Sequence, residues 1–158
     1  MTGSLRSLSA AATNVARMGS DVLVPETWVL RLADIALSLP DAYQEEAWVG
    51  ERWRVRGRTF AHVLPVEEGR PAAYSKAVGS PGPHIVLTFR ADAVELEAIR
   101  RSGPRYFRAR WGTDVGGVVL DDDVDWEEVR ELVVDSYCRL APQKLVRLVD
   151  RPPAGPGR

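Results

Sequence analysis

Regularly spaced arginines make the stretch from residue 52 to residue 58 the best candidate for binding an anion. They occupy every second position, as Arg52, Arg54, Arg56 and Arg58. Trp53 and Val55 fall between them, and successive side chains of a strand point to opposite faces. We therefore expect the arginines on one sheet face, the apolar pair on the other, and a turn at Gly57. Guanidinium groups bind phosphates and guanine edges bidentately, so the pattern predicts a nucleic-acid-binding face.

A second basic group comprises Arg105, Arg108 and Arg110, with Tyr106 and Trp111 beside them. Aromatic rings next to cations are typical of surfaces that hold single-stranded nucleic acid. Lys76 adds a third, weaker element.

The same residues also have a purely structural interpretation. Arginines on an outer strand pair with glutamates of a neighbouring strand, and Tyr106 and Trp111 then belong to the core. A basic face also suits an acidic protein partner or a small ligand, so these alternatives to DNA stay open. We expect a monomer.

The acidic run Asp121, Asp122, Asp123 and Asp125 admits a metal interpretation, because hard cations prefer carboxylate oxygens. The residues also fit a turn followed by a helix N-terminus, where acidic groups are favoured. We prefer the second interpretation and predict no metal site and no cofactor.

Catalytic motifs are not found in the sequence. His62 and His84 have no nucleophile or ligand set close to them in sequence, and Cys138 is most simply a packing residue. No phosphate-binding glycine loop, serine elbow or HExxH motif occurs. The sequence predicts a protein that is not an enzyme.

Charge is strongly segregated along the 158 residues, although the net charge is only −1. Residues 52–110 carry twelve Lys or Arg against five Asp or Glu, a balance of +7, and the segments on either side each carry −4. Such segregation creates a local field that attracts anions. The single cysteine excludes an internal disulfide and favours the cytoplasm, and no apolar run of about 18 residues predicts a membrane span.

Periodicity and turn residues predict an α+β fold with antiparallel hairpins. Helices are expected over residues 25–38, 92–102, 126–140 and 143–149. Strands are expected over residues 47–49, 52–56, 59–66, 72–77, 84–89, 106–111 and 118–120, with residues 41–46 as a polar connection. Capping boxes are expected at Asp92 with Glu95 and at Asp125 with Glu128. Gly116 and Gly117 indicate a bulge or a close approach. We assign residues 1–22 to a flexible tail, 23–150 to the domain and 151–158 to a disordered tail.

Several stretches, taken in order, resemble the MmcQ/YjbR family of small bacterial proteins. They are residues 36–41, Glu45, Trp48, Gly50, residues 54–61, 85–99, 127–137 and 139–145. The resemblance covers residues 25–150. It implies a CyaY/frataxin-like antiparallel sheet of about five to six strands with helices packed on one side, and DNA binding through an exposed sheet face. Because frataxin-like proteins bind iron on an acidic surface, it also makes metal binding the rival function.

Overall fold

A six-stranded antiparallel sheet lies at the centre of the computed structural model, which describes residues 16–18 and 21–150. The strands are β1 (Ala16–Met18), β2 (Asp21–Leu23), β3 (Tyr43–Glu46), β4 (Glu51–Val55), β5 (Arg58–Val66), β6 (His84–Arg90), β7 (Tyr106–Arg108) and β8 (Val115–Leu120). The helices are α1 (Glu26–Ala36), α2 (Ala72–Val78), α3 (Ala93–Arg100), α4 (Trp126–Leu140) and α5 (Gln143–Val146). The sheet order is β3-β4-β5-β6-β8-β7, and β1 and β2 form a separate hairpin.

The predicted tails fall largely outside the described residues. Residues 151–158 lie beyond them entirely, as do residues 1–15, 19 and 20 of the predicted N-terminal tail. The described part of that tail forms the β1–β2 hairpin. Val22 is buried there, and its backbone N–H donates to a carboxylate oxygen of Glu67 at 3.1 Å.

One face of the sheet, the helix face, carries most of the core. Trp53, Val63 and Leu87 are fully buried on it, because alternation on neighbouring strands points their side chains the same way. Helices α1, α3, α4 and α5 pack their apolar residues into this single cluster. Burying a large apolar side chain contributes roughly 1.5–3 kcal/mol, so this face supplies most of the stability.

The opposite face, the pocket face, carries a smaller cluster. Its buried residues are Leu64, Val66, Val86 and Phe107, and helix α2 packs against them through Tyr74, Ala77 and Val78. The predicted α+β antiparallel sheet is confirmed. The arrangement with helices on one side holds for four helices, while α2 lies on the other face.

The prediction of a strand over residues 72–77 is wrong, because this segment is helix α2. Pro71 precedes the helix in an extended conformation, and Gly79 ends it in the left-handed conformation with φ of 83°. Proline before and glycine after a helix are the usual boundary residues. Lys76 is therefore exposed on a helix rather than on the sheet.

The predicted start of the sheet at residues 47–49 is also wrong, because the first strand of the large sheet is β3 and residues 47–50 form the turn into β4. Strand β3 escapes prediction because it is an edge strand. Its residues Tyr43–Glu46 are mostly exposed, so no apolar alternation marks it.

The glycine pair in β8 allows a close approach, as predicted. A Cβ atom on Gly117 would lie 2.1 Å from the ring of Phe107, and one on Gly116 would lie 2.5 Å from Leu96. Pairing of β8 with β6 and β7 is continuous through both glycines, so there is no bulge. Strand β7 is shorter than predicted and ends at Arg108.

Helix α4 spans Trp126–Leu140 as predicted, and Ala141-Pro142 ends it. Asp92 and Glu95 form the predicted capping box of α3. The second predicted box is only half formed. The Asp125 carboxylate accepts the N–H groups of Glu127 and Glu128, but the Glu128 carboxylate accepts a hydrogen bond from the Tyr106 hydroxyl instead of returning to the cap.

Within the described residues, every helix is too short or too polar to cross a membrane.

Candidate functional site

The β4–β5 turn interrupts the predicted arginine row. Arg56 and Gly57 both have positive φ, 51° and 80°, which gives a two-residue hairpin turn that matches the sheet twist. Arg52 and Arg54 point to the pocket face, as alternation with the buried Trp53 and Val55 predicts. Arg56 lies in the turn, and Arg58 pairs with Val55 and so shares the side of that buried residue. Only two of the four arginines therefore lie together on one face.

Two carboxylates pair with three of these four arginines. Glu45 stands directly opposite Arg52 on β3, and its carboxylate pairs with Arg52 and with Arg54, the latter at 3.3 Å. Arg56 pairs with Asp41 at 3.1 Å. The alternative interpretation of the row was that its arginines pair with glutamates of a neighbouring strand. The contacts of Glu45 on β3 with Arg52 and Arg54 on β4 are of this kind.

The remaining candidate cations are scattered. Arg105 pairs with Asp121 at 3.0 Å. The others are exposed and make no ion pair within the part of the chain that the structure describes; they are Arg58, Lys76, Arg108 and Arg110. Strands β4 and β7 are separated by three strands, or roughly 19 Å, so the two predicted arginine groups do not form one patch.

A pocket of about 410 Å³ lies on the pocket face between the β3–β4 turn, helix α2 and the segment after β7. That volume is within the range of about 300–1,000 Å³ that is usual for small-ligand sites. Its side chains are aromatic, basic or uncharged, and none of the described residues that line it is Asp or Glu. The charged groups of the wall are the guanidinium groups of Arg52 and Arg90. The pocket thus favours an anionic ligand.

Five aromatic residues among those described line this pocket, and three of them lie outside the helix-face core and come from different elements. Trp48 is completely exposed in the β3–β4 turn, and Trp111 is 43% exposed after β7. Tyr74 of α2 packs against Trp111 with ring centroids 4.6 Å apart. Exposed indoles are costly to leave in water and are typical of binding surfaces, because they stack on flat ligands.

The turn that carries Trp48 is fixed by Gly50. This residue has φ of 81°, and a Cβ atom on it would lie 2.0 Å from the carbonyl oxygen of Val63 on β5. Only glycine allows so close an approach to the neighbouring strand. The turn is further held by His62, whose Nε2 lies 2.7 Å from the carbonyl oxygen of Val49.

His62 and Thr88 supply polar atoms to the pocket wall. Because a carbonyl oxygen only accepts, His62 carries its proton on Nε2 and offers an acceptor at Nδ1. Burial lowers the pKa of His62, the positive charge of Arg52 lowers it further, and the bond to Val49 opposes both effects. The buried hydroxyl of Thr88 donates to the His62 carbonyl at 3.5 Å, the outer limit of a hydrogen bond, so it can bond a ligand instead.

The two pocket arginines are only partly satisfied by protein groups. Arg52 gives one terminal nitrogen to Glu45, and its buried Nε has no hydrogen-bond partner among the described residues. Arg90 gives one terminal nitrogen to Asp114 at 3.3 Å. A guanidinium group has five N–H donors, so each arginine retains donors for an anion.

The acidic run serves local structure. Asp121 accepts from the backbone of Asp123 and pairs with Arg105, and Asp125 caps α4. Within the described residues, no group of three or more His, Cys, Asp or Glu is arranged to hold a metal ion. His84 and Ser80 are 2.8 Å apart, but Ser80 Oγ also accepts the Gly82 N–H, a contact that fixes the loop before β6.

Sequence reasoning missed most of the pocket. It placed Trp48 in a strand and Tyr74 in another, and it singled out neither Thr88 nor Arg90. The one available signal was Trp48 itself, a tryptophan between a polar segment and Gly50-Glu51. The pocket residues come from five separate segments, so no local spacing joins them.

The fold defines the chain as a small α+β protein built on one antiparallel sheet. The chain belongs to the YjbR family, whose family model matches residues 37–139. This confirms the resemblance seen in the sequence.

Two solved structures share the fold. A Pseudomonas syringae protein has a TM-score of 0.53 at 15% identity, over 68% of this chain and 93% of that one. A Deinococcus radiodurans protein with a DUF419 domain has a TM-score of 0.56 at 17% identity, over 82% and 92%. No curated protein matches the chain.

Proposed function

We propose that this chain is a non-enzymatic protein that binds single-stranded nucleic acid on its pocket face. The observation that carries the proposal is the composition of the pocket wall. Among the described residues that line it are the rings of Trp48, Tyr74 and Trp111 and two arginines, and none is Asp or Glu. Single strands are bound by this combination, because bases stack on rings while cations attract phosphates.

Duplex DNA fits this surface less well than a single strand does. A flat basic row could follow a duplex backbone, but only Arg52 and Arg54 of the predicted row share a face. A concave pocket also excludes bases that are stacked inside a helix. The proposal therefore changes the predicted ligand from DNA in general to single strands.

The non-enzymatic part of the proposal is supported by the polar groups of the pocket. His62 is held by a main-chain carbonyl group, and the hydroxyl of Thr88 bonds a backbone oxygen. Neither is paired as a nucleophile and a base are paired in a catalytic site. An acidic protein partner stays a prediction, and the arginines of the pocket face are its only support.

The test is a titration of a fluorescently labelled oligonucleotide of about ten nucleotides, single-stranded and as duplex. Arg52 and Arg90 line the same pocket, and one phosphate held between them gives a log–log salt slope of about −0.7 for a single strand. Arg52→Gln is expected to weaken binding roughly tenfold, because it removes a charged hydrogen bond to phosphate.

Arg130→Gln is the matched control. Arg130 is exposed on α4, the helix that packs on the other face of the sheet, and it makes no recorded ion pair among the described residues. Its substitution is expected to leave affinity unchanged. Equal losses from both substitutions, affinity that ignores salt, or no binding of single strands would each overturn the proposal.

A further inference from the structure

We infer that the pocket binds one nucleotide unit, with its base stacked on an indole of the rim and its phosphate held by the pocket arginines. This inference rests on the proposed function and names the part of the strand that enters the pocket. The shared chemistry is a flat ring that carries a phosphate, whether the unit is free or belongs to a strand.

The size of the pocket fits one unit rather than a run of them. Its volume of about 410 Å³ is that of a site for a single small ligand. The rings of Trp48 and Trp111 lie on separate segments, in the β3–β4 turn and after β7, so they border the site from different elements.

Trp48 is the ring best placed to stack on a base. Its side chain is fully exposed, so it has no packing partner in the protein to displace. The turn that holds it is fixed by Gly50 against β5, so the backbone beneath the indole needs little ordering on binding. Trp111 already packs on Tyr74 in a tilted arrangement, with 57° between the ring planes. This contact supports its orientation.

Polar atoms in the wall suit the edge of a base. The neutral His62 ring offers an acceptor, and the Thr88 hydroxyl has only its long bond to the His62 carbonyl. A base edge presents donors and acceptors side by side, which these groups can meet. Arg52 and Arg90 each give one terminal nitrogen to a carboxylate, so the remaining terminal N–H groups can bond the phosphate.

The experiment is a competition assay on the full chain. Four unlabelled nucleoside monophosphates, the nucleosides without phosphate, and inorganic phosphate each compete with the labelled single strand. Monophosphates are expected to compete, nucleosides to compete at least tenfold more weakly, and inorganic phosphate to compete more weakly than any monophosphate. A nucleoside as strong as its monophosphate, or inorganic phosphate as strong as either, would overturn the inference.

The variants Trp48→Ala and Trp111→Ala test whether the two indoles of the pocket bind the base. Stacking is worth about 1–3 kcal/mol per base, so Trp48→Ala is expected to weaken monophosphate binding about five- to 150-fold, and Trp111→Ala to weaken it less. Leu30→Ala is the control, because Leu30 is an exposed apolar residue on α1, which packs on the helix face. Trp48→Ala is also expected to leave the urea midpoint nearly unchanged, since the side chain makes no buried contacts.

The outcomes separate the two proposals. If the single strand binds with the predicted salt slope but monophosphates do not compete and the tryptophan variants bind normally, the inference fails and the proposed function stands. If monophosphates bind directly and depend on Trp48, but no strand binds, the proposed function fails and the pocket assignment stands.

Discussion

At the scale of single residues, His62 joins the site to the stability of the fold. Its ring bonds the carbonyl oxygen of Val49, packs edge-on against Tyr74 with centroids 6.0 Å apart, and lines the pocket. Burial lowers its pKa, so the neutral ring is the form that the fold accommodates. One side chain thus fixes the β3–β4 turn and shapes the wall.

This lowered pKa predicts a pH dependence of stability. Between the folded pKa and the unfolded value of about 6.5, the unfolded chain binds more protons than the folded one. The contribution of His62 is therefore complete above about pH 6.5 and is lost as the pH falls toward the lower folded pKa. The loss is at most about 1.4 kcal/mol per pH unit for one proton.

Urea midpoints measured between about pH 7.5 and pH 5.5 test this dependence. The wild-type midpoint is expected to fall, and that of His62→Gln, which keeps a donor to Val49 but does not titrate, to change less. Parallel curves for the two proteins would show that His62 is not responsible. Glu97 does not interfere, because contacts with Arg100 lower the pKa of its exposed carboxyl below the ordinary carboxyl value.

At the scale of elements, two glycines at hairpin turns offer a controlled comparison. Gly50 and Gly57 have nearly equal φ, 81° and 80°. A Cβ atom on Gly57 would meet nothing within 4 Å, whereas one on Gly50 would meet the β5 backbone at 2.0 Å. A substitution at either glycine would therefore strain the backbone equally, but only a substitution at Gly50 would also clash with a neighbouring strand.

Gly57→Ala is expected to cost about 1–2 kcal/mol from its left-handed conformation alone. Gly50→Ala is expected to cost at least about 1 kcal/mol more, because the clash with Val63 forces the backbone apart. Urea unfolding of the two variants measures the difference in the free energy of unfolding. Equal losses would contradict the close approach of the β3–β4 turn to β5.

The elements also show what the sequence predicts and what it does not. Helix α4 and strand β4 follow from apolar periodicity, since one face of each is buried. Strand β6 follows from a continuous β-branched and apolar run, since both of its faces are buried. Strand β3 and helix α2 do not. Edge strand β3 has no buried face, and no residue of α2 is fully buried, so neither has a distinct pattern.

The site was also predictable only in part, because contacts between distant segments leave no pattern in the local sequence. Alternation placed Arg52 and Arg54 correctly on one face, but it cannot show that Glu45 lies opposite them. The turn at Gly57 was visible, yet its effect on the arginine row depends on the positive φ of Arg56. Contacts between distant segments, such as Tyr74 with Trp111, have no local signature.

At the scale of the whole molecule, the two faces of the sheet have different roles. The helix face holds the large core, and the pocket face holds a small cluster beside a pocket whose lining, in the described part of the chain, includes no Asp or Glu. The arrangement also accounts for the segregated charge. Arginines of the basic segment, residues 52–110, pair with acids of the flanking segments, as Arg52 does with Glu45 and Arg105 with Asp121.

Five tryptophans allow the central claim to be tested in one spectrum. Each indole N–H gives its own nitrogen–proton correlation signal in NMR. Trp48 and Trp111 line the pocket, whereas Trp28, Trp53 and Trp126 pack with the core of the helix face. The three core indoles are therefore internal controls for the two pocket indoles.

Titrating the ¹⁵N-labelled protein with an unlabelled single strand is the most direct measurement. The signals of Trp48 and Trp111 are expected to shift together with saturation, while those of Trp28, Trp53 and Trp126 stay in place. Shifts confined to the helix-face indoles, or a spectrum that does not change at saturating strand, would contradict binding at the pocket face.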